Sequence, residues 1–146
     1  GRGRCQRMND ELQADDCMAL RFRRIARLLT RKYDAALRPS GVRSTQFILL
    51  HIIGRHPGIG INSLASATNS DPTTTTRNVL VLERNGWVTL GSSSDDHRKR
   101  EIHLAETGRR AYEDAWPLWA TVQKDVAAKS EDLSDALDKL GAALED

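Results

Sequence analysis

Residues Asp71–Gly108 read DPTTTTRNVLVLERNGWVTLGSSSDDHRKREIHLAETG. Asp71 stands where a helix N-cap is expected, because Pro72 follows at the first helical position, where a missing N–H costs nothing. Thr73 to Thr76 are β-branched, and propensity alone favours a strand there. Val79 and Leu82 share one helix face, however, and that spacing decides for a helix, which Gly86 ends. Trp87–Leu90 and Glu101–Leu104 then alternate as two half-buried strands, with Val88, Leu90, Ile102 and Leu104 on the inner face. The segment joining them, Gly91–Lys99, is too polar to be buried.

Working outward, Asp15 or Asp16 is expected to cap a helix that runs to about Leu37. Its apolar positions Met18, Phe22, Ile25, Leu29 and Ala36 recur at helical spacing. Pro39, Ser40 and Gly41 break it. Ser44 caps a second helix, whose Phe47, Leu50 and Ile53 form a buried stripe. Gly54–Gly60, with Pro57 inside it, is a turn, and a short helix from about Asn62 to Thr68 packs Leu64 and Ala67 inward. Beyond the hairpin a long helix spans about Glu106–Lys129, with Ala111, Ala115, Leu118, Val122 and Val126 inward and a bend at Pro117. The last helix carries Leu133, Leu137, Leu140 and Leu144 in a four-three-four pattern, like a coiled-coil seam.

The chain has 146 residues, which suits one compact domain able to bury its own core. Aromatic residues make up only 5%, against a large aromatic-lined cavity, although three Trp leave room for a modest pocket. The formal net charge of +2 is not that of a strongly basic chain, so a nucleic-acid surface must come from how charge is distributed. Arg21, Arg23, Arg24, Arg27, Arg31, Lys32, Arg38 and Arg43 crowd the first third. His97–Arg100 form a second basic cluster, and acidic residues gather in the tail. Ordinary solvated helix faces are the competing reading of the first group. No apolar run is long enough for a membrane span and no secretory leader is apparent, so a cytoplasmic protein is expected. Residues 1–7 read as a cloning remnant ahead of a natural start at Met8, which makes Cys17 the one native cysteine, since Cys5 falls in the remnant.

Placed at about 100° per residue, Thr75, Val79 and Leu82 form the core face of the Asp71 helix, and Thr73, Thr74, Arg77 and Asn78 fall on the other side. Arg can bond guanine in a bidentate manner, Asn can pair with adenine, and Thr can offer a hydroxyl to a base or its methyl to thymine. A helix N-terminus also favours phosphate. The hairpin tip sets His97, Arg98, Lys99 and Arg100 beside Asp95 and Asp96. A cation there suits a narrow minor groove, where negative potential is enhanced. A threonine-rich surface helix followed by a solvated hairpin is the alternative, and the combination of the two elements weighs against it.

Asp71-Pro72-Thr73-Thr74-Thr75-Thr76-Arg77, Leu82-Glu83, Gly86-Trp87-Val88, Asp96-His97-Arg98, and Leu104 with Gly108 together resemble the signature of the MarR family of bacterial transcriptional regulators. Gln46, Leu50, Leu64 and Ala65 fit the same pattern upstream. The resemblance implies a mainly α fold with a small β-wing, a homodimeric winged helix-turn-helix protein paired through helices from both chain ends. Residues 8–40 and 106–146 would form the dimerisation region and residues 41–105 the DNA-binding region. The implied recognition-helix contacts are Thr73, Thr74, Thr76, Arg77 and Asn78. The implied wing contact is Arg98, with His97, Lys99 and Arg100 as neighbours. Two departures stand out. Ala105 replaces the usual Thr, so Glu106 or Thr107 starts the next helix, and Thr75 stands where an apolar residue is usual.

The seam Leu133, Leu137, Leu140 and Leu144 is expected to pair two chains, and twofold symmetry then calls for a pseudo-palindromic operator on double-stranded DNA. Packing within one chain is the alternative. The family often binds a small aromatic or anionic effector. Phe22, Phe47, His51 and Trp119 are candidates to line such a site, with a helix-one arginine meeting an anion; a plain core histidine is the competing reading of His51. Cys17 offers a thiol-based redox switch, because a helix N-terminus and Arg21 favour the thiolate. A tyrosine matching the peroxide-sensing members, Tyr33, is offset in register, so a buried structural cysteine is the favoured reading. A winged-helix module that binds protein rather than DNA is a further alternative. Nothing points to an enzyme, a metal or a cofactor: His51 and His56 do not share a helix face, and no zinc spacing, phosphate-cradling glycine loop or nucleophile elbow is present. Repression is the expected mode of action.

Overall fold

The computed structural model describes residues 13–92 and 100–145. These divide into two compact units, one ending at Lys32 and the other beginning at Tyr33, within the first helix α1 (Met18–Leu37). In the first unit Asp15 and Asp16 do not cap α1 as the sequence suggested. They lie in a 3₁₀ turn, Ala14–Asp16, where Asp16 accepts the N–H of Gln13 at 3.2 Å. That turn moves the opening of α1 to Cys17, whose carbonyl accepts the N–H of Arg21 at 3.1 Å. Met18, Leu20, Phe22, Ile25 and Leu28 are all exposed.

In the second unit, α2 (Ser44–Arg55), α3 (Ile61–Ala67) and α4 (Pro72–Arg84) precede a hairpin of β1 (Val88–Ser92) and β2 (Arg100–Leu104). The long α5 (Glu106–Lys129) and α6 (Leu133–Leu144) follow. Ser44 opens α2 but does not cap it. Its N–H goes to Asp34 Oδ1 at 2.7 Å, and the Arg43 N–H is taken by Gln46 Oε1 at 2.9 Å. Gly54, expected in the turn, is still helical. In α3 the buried pair is Leu64 and Ala65 rather than Leu64 and Ala67, because this short helix packs on both α2 and α4.

The strands are antiparallel, with Val88 opposite Leu104 and Leu90 opposite Ile102. A pairing the sequence did not announce pins the hairpin to the helices. The N–H of Ile102 donates to the Ile59 carbonyl at 3.0 Å, and the N–H of Gly58 donates to the Ile102 carbonyl at 3.0 Å. Ile102 is fully buried among Leu37, Leu50, Ile53, Leu64, Val79 and Leu82. Side chains drawn from every helix of the unit up to α5, and from both strands, thus share one apolar core, the main favourable term in folding.

The end of α4 is closed by a Schellman turn. Gly86 takes φ +78°, its N–H reaches Glu83 O at 2.9 Å, and the Trp87 N–H reaches Leu82 O at 3.0 Å. The start of α5 is built onto this turn. Ala105 donates to Trp87 O at 2.9 Å, and the Thr107 hydroxyl donates to Gly86 O. Ala105 ends the strand without a side-chain cap, so α5 begins at Glu106 as expected. It continues through Pro117 as a single helix.

At Gly108 the helix approaches so closely that a Cβ would lie 2.0 Å from Trp87 O and 2.8 Å from its carbon. Both neighbours are backbone and cannot rotate away. Gly108→Ala is therefore expected to lose stability by about 1–3 kcal/mol or more, although alanine favours helix. Thermal unfolding followed by circular dichroism checks it; an unchanged or raised Tm would show that the approach is looser than described.

Candidate nucleic-acid interface

The helix that opens on the threonines is capped as the sequence indicated. Asp71 Oδ1 accepts the N–H of Thr74 at 2.8 Å, and Oδ2 accepts the Thr74 hydroxyl at 2.8 Å. These two bonds hold the Asp71 carboxyl below the usual aspartate range. The sign follows directly. A carboxylate with a lowered folded pKa contributes stability above its unfolded pKa and loses it as pH falls through the folded value. The core face is Thr75, Val79 and Leu82, all buried. Thr75 is only 1% exposed, yet its hydroxyl donates to Asp71 O at 2.9 Å, so a polar group fits where an apolar residue was expected.

Thr73, Thr74, Thr76 and Arg77 are exposed. Asn78, expected on the same side, is half-buried, because it lies only ~60° from Thr75 around the helix and leans against the core margin. The centre of the outward face is a stripe that the sequence reading only partly named: Thr73, Arg77, Leu80 and Arg84, at i, i+4, i+7 and i+11. Leu80 and Arg84 are exposed. Their spacing is legible in the sequence, although an apolar Leu80 and an Arg84 in the last turn of the helix carry no base-reading signal by residue type alone.

The root of the wing stands next to this helix. Thr76, Leu80 and Pro72 of α4 share an open cleft of about 560 Å³ with Asn62, Leu90 and Arg100. Arg100 is half-buried on β2. His97, Arg98 and Lys99 lie outside the described residues, as do Asp95, Asp96 and Cys5.

Of the four candidate effector residues, three come together. Phe47 stacks on Trp119 at 5.2 Å and on Tyr112 at 4.9 Å, and His51 Nδ1 lies 2.8 Å from the Tyr112 hydroxyl. Phe22 belongs to the first unit and is exposed. Tyr112 was missed, although it precedes Trp119 by two helical turns and so shares its face. Burial raises the Tyr112 pKa, with Arg55 acting in the opposite sense. The neutral phenol can donate to Nδ1 when the His51 ring carries its proton on Nε2. Phe47 itself is a core residue, 2% exposed.

Cys17 overturns the favoured reading of a buried structural cysteine. It is exposed, because it begins α1 ahead of that helix's packed end. Its pKa is lowered by hydrogen bonding to the backbone of Leu20 and Ala19, with a smaller contribution from the charge of Arg23 rather than the expected Arg21. Leu133, Leu137, Leu140 and Leu144 are each at least 37% exposed, so they do not find their cover within the described residues of one chain. No helix among the described residues is long and apolar enough to cross a membrane.

Comparison with known proteins agrees with this arrangement. The family model described as MarR family matches residues 42–99. The M. tuberculosis transcriptional regulator MosR is 37% identical, with a TM-score of 0.80 over 91% of this chain and 98% of that one. A second MosR structure, in complex with DNA, is 36% identical, with a TM-score of 0.76 over 88% and 98%. The Bacillus subtilis protein YwhA, an uncharacterized HTH-type transcriptional regulator, is 31% identical over 84 residues, 58% of this chain and 60% of that protein. The chain thus spans less than two thirds of that curated relative. By the family match and by likeness to MosR over nearly the whole chain, the chain belongs to the MarR family of winged helix-turn-helix transcriptional regulators.

Proposed function

We propose that the chain binds double-stranded DNA in a sequence-specific way, as a homodimer on a pseudo-palindromic operator, and represses transcription until a small aromatic or anionic ligand releases it. The observation that carries this reading is the outward stripe Thr73, Arg77, Leu80 and Arg84, uncovered and adjacent to the wing root. The likeness to MosR, one of whose structures holds DNA, supports it. Arg77 is suited to guanine and Thr73 to a base edge, and Asn78 stands at the margin. Arg98, flanked by His97, Lys99 and Arg100, is the proposed minor-groove contact. Arg77→Ala should cost ~1–3 kcal/mol in operator affinity and relax discrimination at one base pair. Arg98→Ala should lower the slope of log affinity against log salt by about 1. Titration of labelled duplex at several salt concentrations reads both, and unchanged binding in both variants would refute the face assignment.

Residues 41–105 serve as the DNA-binding region in this reading, and 8–40 with 106–146 as the pairing region. The exposed leucine seam of α6 and the exposed apolar residues of α1 support pairing. Joint Leu137→Asp and Leu140→Asp substitution should yield monomers by sedimentation and abolish tight binding to the full operator. A dimer that persists would place the interface elsewhere.

The aromatic group Phe47, Tyr112 and Trp119 with His51 supports an aromatic effector, and Phe22 is the less supported member of the expected set. A second reading, release by oxidation, is favoured by the exposure and lowered pKa of Cys17. A peroxide would convert its thiolate to sulfenic acid and leave hydroxide. Operator release is measured with phenolic acids and, separately, with hydrogen peroxide. Release by a phenolic acid that Trp119→Ala abolishes supports the ligand; release by peroxide that Cys17→Ser abolishes supports the thiol. A wild-type complex that resists both agents would exclude both.

A further inference from the structure

A threonine hydroxyl has one proton to donate and two lone pairs with which to accept. In the first turns of α4 that proton is already committed at three of four threonines. Thr74 donates to Asp71 Oδ2 at 2.8 Å, Thr75 to Asp71 O at 2.9 Å, and Thr76 to Pro72 O at 2.8 Å. Thr73 makes none of these bonds. Thr75 is buried, whereas Thr74 and Thr76 are exposed and flank the Thr73–Arg77 stripe, ~100° to either side of Thr75. Toward solvent, both therefore present oxygen lone pairs and a methyl, and no proton.

Base edges in the major groove divide by the same polarity. Adenine N6 and cytosine N4 donate; guanine O6 and N7, adenine N7 and thymine O4 accept, as do all phosphate oxygens. We propose that Thr74 and Thr76 act as hydrogen-bond acceptors, so that the opening turns of α4 select base pairs presenting an exocyclic amino group of adenine or cytosine and do not anchor phosphate. This rests on the DNA-binding reading above and specifies its chemistry.

Two further observations support it. The Thr74 N–H, which a phosphate at the helix start would use, is held by Asp71 Oδ1 at 2.8 Å. The Asp71 carboxylate beside it is exposed and repels a phosphate. Its acceptor is charged, which strengthens its hold on the Thr74 proton. In this proposal the helix start reads bases directly, in place of the phosphate contact that a bare helix N-terminus would favour.

The test uses the full chain and chemically altered duplexes. An operator is first selected from random DNA by the wild-type protein. Each adenine in it is then replaced by purine, which lacks N6, and each cytosine by 2-pyrimidinone, which lacks N4. At one or two positions the missing amino group should weaken wild-type binding roughly 2- to 12-fold, the net worth of one neutral hydrogen bond. At each such position the change should have no effect on the variant, Thr74→Val or Thr76→Val, that lacks the oxygen reading it but keeps its shape. Thr74→Ser and Thr76→Ser, which keep the oxygen, should retain the sensitivity, and circular dichroism shows that each variant is folded. A selected operator whose amino deletions weaken wild-type and valine variants equally overturns this inference alone. So does a valine variant whose loss is cancelled by methylphosphonate at one phosphate. Failure to select any duplex overturns the DNA-binding reading, and this inference with it.

Discussion

The start of α5 lies against the Trp87 carbonyl so tightly that position 108 has no room for a side chain. Around this contact three backbone or hydroxyl donors converge on the turn that ends α4: Trp87 on Leu82 O, Ala105 on Trp87 O and Thr107 on Gly86 O. The junction leaves α4, the wing and the long helix little freedom to move separately. Bonds that satisfy buried backbone groups are costly to leave unmade, so they fix direction more firmly than apolar contact alone.

A second tie works from the opposite side. Ile102 pairs both with Leu90 across the hairpin and with Ile59 in the α2–α3 loop, and its side chain is fully buried. The wing is thereby held by a strand ladder and by the core at once. Between the two ties, α4 turns Thr75, Val79 and Leu82 inward and leaves Thr73, Arg77, Leu80 and Arg84 outward. A polar outer face on a firmly held helix is the arrangement that reading a groove requires, since the geometry of a bidentate contact tolerates little play.

The threonine run shows how local preference yields to its surroundings. Four β-branched residues disfavour helix, yet the Asp71 cap, the Pro72 start and two inward apolar residues outweigh them. The hydroxyls of Thr74, Thr75 and Thr76 bond back to the Asp71 side chain or to carbonyls one turn earlier, which also settles Thr75, a polar residue in an apolar position. The same bonds set the polarity that these residues present outward, a property invisible in a list of residue types.

Periodicity and punctuation in the sequence were enough for the elements. Asp71-Pro72 and Gly86 bound one helix, the alternation in Trp87–Leu90 and Glu101–Leu104 marked the wing, and the apolar spacing after Ala105 marked the long helix, because caps, turns and amphipathic faces are local. The chain order of those elements, with the quoted motifs, was also enough for the family. Only the tertiary structure decided what depends on parts distant in sequence. Tyr112 joins Phe47 and His51, Ile59 pairs with Ile102, Ala65 rather than Ala67 turns inward, Cys17 lies open and Asn78 sits at the margin. Burial and hydrogen bonding are set by which neighbours arrive, and a one-dimensional pattern records a face without recording what packs against it.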